Sequence, residues 1–148
     1  MKLISHRGNL YGPNPDIENR PYQIQLVLTQ GYDCEIDLRY INGTLYLGHD
    51  TPDWVIDHDF LEQPGLWIHA KNLAALEYLK RFQNLEYFWH QIDDYTLTSK
   101  NHIWTYPDRP LSESSIAVMP ELHMDIASIK TLKVFAVCSD FVGNLKED

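Results

Sequence analysis

Basic residues are scarce in this sequence. Lysine and arginine together number 12, against 21 aspartate and glutamate residues, which gives a formal net charge of −9 at pH 7. Proteins that hold nucleic acid or an anionic membrane surface neutralise phosphates with clustered lysine and arginine, and this chain has no such cluster. We therefore predict no nucleic-acid partner. A phosphate ester would need a metal ion or a few well-placed basic side chains in order to bind.

Long apolar runs and cysteine pairs are missing as well. No stretch approaches the roughly 18 consecutive apolar residues of a membrane helix, and the start of the chain lacks the layout of a signal peptide. Cys34 and Cys138 are the only cysteines, and they show no C-x-x-C spacing. The sequence therefore predicts no membrane span, two buried reduced thiols and, by default, a cytoplasmic location.

The chain is long enough for one domain with its own core. Its 148 residues are 44% hydrophobic, so no disulfide or structural metal is required. We find no internal repeat and expect a single domain over residues 1–148. Besides a hairpin over residues 32–50, the sequence predicts strands at 2–6, 66–71, 86–91, 102–106, 115–119 and 132–138. Helices are expected before Gly31, over residues 72–82 and over residues 124–129.

Strands that recur with helices between them predict a mainly parallel sheet, and titratable residues stand at the ends of several strands. We therefore predict an α/β fold, a compact and reduced (β/α) TIM-type barrel with its site at the carboxyl ends of the strands. The connections after the fourth and fifth strands are short, so several helices would be missing or shortened. Sheet left uncovered in this way favours a homodimer.

The hairpin contains the acidic pair on which the functional prediction depends. Alternation places Glu35 and Asp37 on one face of the strand, opposite Cys34, Ile36 and Leu38. Asn42-Gly43 then predicts a tight turn that returns His49 and Asp50 to the neighbourhood of residues 32–35. A Glu-x-Asp pair most often belongs to the solvated face of a hairpin. Buried together, the two carboxylates would require a compensating cation or a pair of donors.

Five motifs in order resemble the N-terminal signature of the glycerophosphodiester phosphodiesterase family, within the phospholipase-C-like phosphodiesterase superfamily. They read His6-Arg7-Gly8, Glu18-Asn19, Glu35-Ile36-Asp37, the hairpin, and Gly48-His49-Asp50, and they cover about a third of the chain. The resemblance implies a metal-dependent hydrolase of small-molecule phosphodiesters. In it His6 and His49 would be the general acid and base, and Glu35 and Asp37 would bind the metal.

The resemblance also assigns residues that would contact the substrate, and the chain departs from the family pattern at one position. Arg7 and Lys71 would hold the substrate phosphate, and Glu18 would reach the metal or a substrate hydroxyl. Family members usually carry an acidic residue where this chain has His69. The implied cofactor is Mg²⁺ or Ca²⁺, but Mn²⁺ or Zn²⁺ if His69 is a ligand. His90 and Trp104 are further candidate contacts, although packing explains each of them at least as well.

Three functional hypotheses stay open at this point. The first is the phosphodiester hydrolase. The second is a non-catalytic relative that binds a phosphate or polyol ligand, which the substituted third ligand and the short chain favour. The third is a histidine-rich metal hydrolase of amide or ring substrates that uses His6, His69 and His90.

Overall fold

The computed structural model describes residues 1–146, in which ten strands join one curled sheet. The strands are β1 (Lys2–His6), β2 (Asp33–Ile41), β3 (Thr44–Leu47), β4 (Trp54–Ile56), β5 (Leu66–Ala70), β6 (Tyr87–Phe88), β7 (Tyr95–Leu97), β8 (Ile103–Thr105), β9 (Ser115–Val118) and β10 (Ala136–Ser139). The α-helices are α1 (Pro21–Thr29), α2 (His58–Leu61), α3 (Leu73–Leu79) and α4 (Ile126–Lys130). Two short 3₁₀-helices cover Pro120–Leu122 and Val142–Leu145.

Parallel pairing builds most of the sheet. The parallel strands lie in the order β6, β5, β2, β1, β10, β9, β8, while the β3–β4 hairpin pairs antiparallel with β2 and β7 pairs antiparallel with β8. In the described chain, β6 forms no ladder with β7 or β8. A single backbone hydrogen bond of 2.7 Å, from Ser99 N–H to the Tyr87 carbonyl, links the two ends. The sheet is therefore a curled half-barrel that stays open.

The predicted reduced (β/α) TIM-type barrel is wrong. The molecule is a mixed, strand-dominated sheet with four short helices, and α2, α3 and α4 have only four, seven and five residues. Between β6 and β8, where the short connection was expected to lack a full crossover helix, the chain forms the edge strand β7. The connection from β8 to β9 contains Pro107 and Pro110 and forms no helix, because proline lacks an amide donor and disfavours helix interiors.

The two faces of the sheet are buried in different ways. On the convex face, one apolar cluster packs the sheet against the helices and includes Ile24, Val27, Ile36, Leu79 and Ile129. On the concave face, a smaller cluster fills part of the hollow with Ile4, Trp67, Phe88, Trp104, Ile116, Ala136 and Cys138. Alternation along β2 therefore sends Cys34, Ile36 and Leu38 to the helices and Glu35 and Asp37 into the hollow.

Several local predictions are confirmed and others are corrected. Cys34 and Cys138 are both buried free thiols, as expected. Asn72 caps α3 by accepting a hydrogen bond of 2.9 Å from the Ala75 amide. The sequence predicted a helix over residues 72–82, whereas α3 covers only Leu73–Leu79, with Ala75 and Leu79 buried and Leu73 71% exposed. Within residues 1–146, none of the helices combines the length and the apolar character needed to cross a bilayer.

The hairpin turn is as predicted, but its second arm ends early. Asn42 and Gly43 have φ values of 49° and 81°, the left-handed pair that a type I′ turn needs. The arm was expected to bring His49 and Asp50 beside residues 32–35. In the structure β1 occupies that edge of β2, with His6 opposite Glu35. The β3 ladder consequently ends at Leu47, which pairs with Leu38, and the chain turns away at Gly48.

Gly48 gives a test of this turn. Its φ is +152°, and a Cβ there would overlap the Thr51 carbonyl oxygen, whereas a Cβ on Gly43 would meet nothing within 4 Å. We expect Gly43→Ala to lower the free energy of unfolding by about 1 kcal/mol, the cost of a left-handed alanine. Gly48→Ala should cost roughly 3 kcal/mol or more, because backbone must also move. Urea unfolding of both variants measures the difference, and equal losses would contradict the geometry.

Candidate functional site

The predicted acidic pair lies in the hollow of the sheet with a histidine beside it. Glu35 and Asp37 project from β2 and are 2% and 0% exposed. His69 lies on β5, where the parallel register pairs it with Asp37. One potential ligand atom from each of the three side chains falls within 4.8 Å of the others. The three predicted metal ligands are therefore close together, and the alternative of a solvated hairpin face does not apply to this strand.

Two carboxylate oxygens in this cluster have no hydrogen-bond partner among the described residues. Glu35 Oε2 and Asp37 Oδ1 are both buried from solvent. An ionised oxygen that is buried without a donor is costly, because it loses its hydration and gains nothing in exchange. Two such atoms with an imidazole nitrogen beside them form a donor set that suits a divalent cation.

The orientation of His69 leaves one ring nitrogen directed at the carboxylates. Its Nε2 lies 2.8 Å from the His90 carbonyl oxygen, which can only accept, so Nε2 carries a hydrogen. Its Nδ1 lies 3.4 Å from Asp37 Oδ1 and 3.6 Å from Glu35 Oε1. A backbone carbonyl that fixes the far nitrogen in this way is the usual arrangement behind a metal-binding histidine. His69 therefore fits a role as third ligand.

Without a metal, His69 is also a counter-ion to these carboxylates. Burial alone would lower the pKa of His69, but hydrogen bonding and charge from Asp37 and Glu35 more than offset burial and raise the pKa to about 9. At neutral pH the ring is then a cation. A metal ion that binds through Nδ1 must first displace the proton from that nitrogen.

Further basic groups surround Asp37. Arg7 Nε lies 3.1 Å from Asp37 Oδ2, and Lys71 Nζ lies 3.9 Å from Asp37 Oδ1. Asn19 Nδ2 donates to Asp37 Oδ2 at 2.8 Å. Burial would raise the pKa of Asp37, but His69, Arg7 and Asn19 together hold it well below its usual range. Asp37 is therefore ionised, and the predicted phosphate-binding residues Arg7 and Lys71 both lie beside it.

Backbone contacts join the His-Arg-Gly and Glu-Asn motifs at this carboxylate. The Arg7 amide donates to the Glu35 carbonyl at 3.0 Å, and the Asn19 amide donates to the Arg7 carbonyl at 2.9 Å. Asn19 Oδ1 then accepts from the Asp37 amide at 2.9 Å. Arg7 and Asn19 both have left-handed backbone, with φ of 56° and 57°. Strained residues of this kind concentrate at functional sites.

His6 forms a pair with Asp140, a residue that the sequence placed at the end of the last strand but to which no role was assigned. His6 Nδ1 lies 2.8 Å from Asp140 Oδ1, so this nitrogen donates and Nε2 keeps its lone pair. Nε2 lies 4.0 Å from Glu35 Oε2. Burial would lower the pKa of His6, yet the carboxylates of Asp140 and Glu35 raise it. The signal in the sequence was Ser139-Asp140 at the end of the last strand.

Glu18 contacts the edge of the cluster through other residues. Its Oε1 accepts from Asn9 Nδ2 at 2.9 Å, and its Oε2 lies 3.5 Å from Arg7. The same Asn9 nitrogen donates to Asp140 Oδ1 at 2.8 Å. No contact within residues 1–146 joins Glu18 to Glu35 or Asp37. Asn9 was missed by sequence reasoning, because nothing in the sequence indicates that a loop asparagine is fully buried between two acids.

The structure does not bring the His49 ring into contact with this cluster. In the described chain its side chain bonds only to Asp50, with 2.7 Å between Nδ1 and Oδ1, and it is 38% exposed. The ring lies on the loop after β3. Its Nε2 is free, since the Asp50 carboxylate can only accept at Nδ1. Of the two predicted acid–base residues, His6 is therefore at the cluster and His49 is on the loop beside it.

His90 and Trp104 have packing roles. His90 Nε2 bonds to the Asp93 carbonyl at 2.7 Å, and only the backbone carbonyl of His90 contacts His69. Trp104 is 4% exposed and stacks on Phe88, with 4.2 Å between ring centroids. The rings of His6, His69 and His90 do not form a common ligand set in the described chain. This geometry gives no support to a histidine-rich amide hydrolase.

Comparisons with known proteins add no family to this description. The chain matches no family model, no curated protein and no solved structure. The assignment of a function therefore depends on the motifs and on where the fold places them.

Metal binding is the first prediction from this geometry. We expect one Mn²⁺ per chain, measured by isothermal titration calorimetry. Glu35→Gln and Asp37→Asn should each weaken binding by at least about tenfold, since each removes an anionic ligand. The matched control is Glu77→Gln, the same change at an exposed position of α3, where Glu77 pairs with Lys80. Equal affinities in all four proteins would show that the cluster is not the binding site.

The pH dependence of that binding is a separate prediction. Because the pKa of His69 is about 9 without metal, binding at pH 7 must release its proton. The affinity should therefore rise as pH increases from 6 toward 9 and then level off. Titration in two buffers of different ionisation enthalpy measures the protons released. Affinity that is independent of pH over this range would mean that His69 is not a ligand.

Proposed function

We propose that this protein is a divalent-metal-dependent phosphodiester hydrolase of small-molecule substrates. One observation carries the proposal: a buried Glu35, Asp37 and His69 cluster lies beside a histidine whose far nitrogen is held by a carboxylate. Phosphodiester cleavage needs stabilisation of negative charge at phosphorus and proton transfer at the attacking and leaving oxygens. The cluster and His6 together offer both.

His6 is the residue best placed to accept a proton. Asp140 holds Nδ1–H, so the lone pair on Nε2 is available on the side of Glu35. In the proposed reaction Nε2 of the neutral His6 ring takes the proton of the attacking hydroxyl, which belongs to water or to the substrate itself. Asp140 stabilises the imidazolium that results, in the way that a carboxylate supports histidine in other hydrolases.

The remaining roles follow from charge and position. Arg7 and Lys71 are the basic side chains beside Asp37, and we assign them to the non-bridging phosphate oxygens. His49, in its doubly protonated form with Nδ1–H held by Asp50, would give its Nε2 proton to the leaving alcohol from the loop after β3. A divalent cation bound by Glu35, Asp37 and His69 would supply further neutralisation of charge at phosphorus.

One observation favours a second candidate, a non-catalytic protein that binds a phosphate or polyol ligand. In the metal-free chain, cationic His69, Arg7 and Lys71 already neutralise much of the charge on Glu35 and Asp37. A cluster that is compensated in this way can bind an anionic group through Arg7 and Lys71 without a metal ion. A homodimer and a cytoplasmic location remain predictions from the sequence.

An aryl phosphodiester assay separates the two candidates. We expect release of nitrophenolate from bis(p-nitrophenyl) phosphate in the presence of Mn²⁺. His6→Ala should lower kcat by about 100-fold or more, the usual contribution of a general acid or base, and Asp140→Asn should lower it as well. The control is His123→Ala, which removes an exposed imidazole.

Circular dichroism checks that each variant remains folded. Loss of turnover in the His6 and Asp140 variants but not in the His123 variant supports a hydrolase. Tight Mn²⁺ binding without turnover of any diester would exclude the hydrolase, and binding of inorganic phosphate in that case would favour the second candidate.

A further inference from the structure

Arg39 follows Glu35 and Asp37 on the face of β2 that carries the acidic pair. Residues 35, 37 and 39 alternate along the strand, so all three side chains lie on the same side of the sheet. Arg39 is half-buried. Its Nε donates to the Gly48 carbonyl at 3.1 Å, and its Nη2 donates to the His49 carbonyl. The strand that carries Glu35 and Asp37 therefore also binds the loop that carries His49.

The other backbone contacts of this loop lie at its ends, where Leu47 of β3 pairs with Trp54 of β4. The Gly48 amide donates to the Asp37 carbonyl and the Asp53 amide donates to the Leu47 carbonyl, each at 3.0 Å. The His49 ring bonds only to Asp50 in the described chain, and the Asp50 side chain is itself 88% exposed. An exposed carboxylate next in sequence cannot fix where the loop lies. The guanidinium is the group that ties the backbone of His49 to β2.

The partners of Arg39 are two backbone carbonyls. Acidic residues outnumber lysine and arginine by 21 to 12. Within residues 1–146, Arg39 nevertheless forms no ion pair with a carboxylate and donates to two consecutive carbonyls instead. A planar guanidinium can hold two acceptors in fixed geometry, whereas a lysine ammonium on a flexible stem cannot. The contacts of Arg39 therefore align the backbone of residues 48–49 and do not neutralise a carboxylate.

We propose that Arg39 is a positioning residue that holds His49 in register with Glu35 and Asp37. The proposal rests on the proposed function, in which His49 is the second acid–base residue. Arg39 touches neither substrate nor metal in this account. Its effect is transmitted through two hydrogen bonds to the loop backbone, and a loss of alignment of about 1 Å can slow a reaction by roughly 100-fold.

The first test measures order in the loop and needs no activity. In Arg39→Ala, we expect ¹⁵N relaxation to show increased motion at the amides of Gly48 and His49, with the rest of β2 unchanged. Arg39→Lys should show most of the same loosening although it keeps the charge. Arg81→Lys is the control, because that guanidinium lies over Tyr78 and away from this loop. Unchanged order at Gly48 and His49 in Arg39→Ala would overturn the proposal.

The second test is a double-mutant cycle on hydrolysis of bis(p-nitrophenyl) phosphate. Arg39→Ala should lower kcat roughly 10- to 100-fold with KM and Mn²⁺ affinity unchanged. If Arg39 acts through His49, then adding Arg39→Ala to His49→Ala should cost little more than His49→Ala alone. Losses that multiply in the double variant, or a loss of Mn²⁺ affinity, would overturn the proposal.

The two proposals fail in different ways. Full activity in His49→Ala, or no turnover by the wild-type protein, would count against the proposed function. The relaxation experiment would still decide whether Arg39 orders the loop. Conversely, turnover that depends on His6 and His49 but not on Arg39 would leave the hydrolase intact and remove Arg39 from it.

Discussion

The rest of the site depends on the burial of two carboxylates on one strand face. Glu35 and Asp37 are almost wholly removed from water, and one oxygen of each has no hydrogen-bond donor within residues 1–146. Repulsion and desolvation would oppose folding unless cations lie nearby. His69 and Lys71 at the end of β5 and Arg7 directly after β1 satisfy this requirement from two different segments. The requirement explains why two loop motifs and two strands meet at this point.

The sequence predicted the positions of Glu35, Asp37 and the hairpin turn, because these features follow from short-range rules. Alternation placed Glu35 and Asp37 on one face, and Asn42-Gly43 located the turn. His69 was found because the family resemblance expects a ligand on the third predicted strand, which the structure pairs in parallel with β2. Asn9 was missed, and Asp140 was given no role, because each reaches the site from a distant segment or from a loop. No local pattern specifies such contacts.

The overall fold was predicted less well, because it depends on pairing between strands that are far apart in the sequence. The seven parallel strands lie side by side, but closure into a barrel requires β6 to pair with β8. The edge strand β7 lies beside β8 instead, and the sequence did not predict that strand. The position of His49 was predicted wrongly for a related reason. The prediction continued the pairing of the hairpin arms as far as His49 and did not consider the first strand. In the structure β1 occupies the edge of β2 with which His49 would have paired.

The site therefore combines residues on or next to strands with one residue on a loop. Glu35, Asp37, His69 and the His6–Asp140 pair lie on or next to strands, whereas His49 lies on a loop that Arg39 attaches to β2.

The most direct measurement of the central claim is a crystal structure with Mn²⁺, analysed by anomalous scattering at the manganese edge. The account predicts one strong peak bonded to Glu35, Asp37 and His69 Nδ1. Manganese found elsewhere, with both carboxylates still held only by Arg7, Lys71 and a protonated His69, would contradict it.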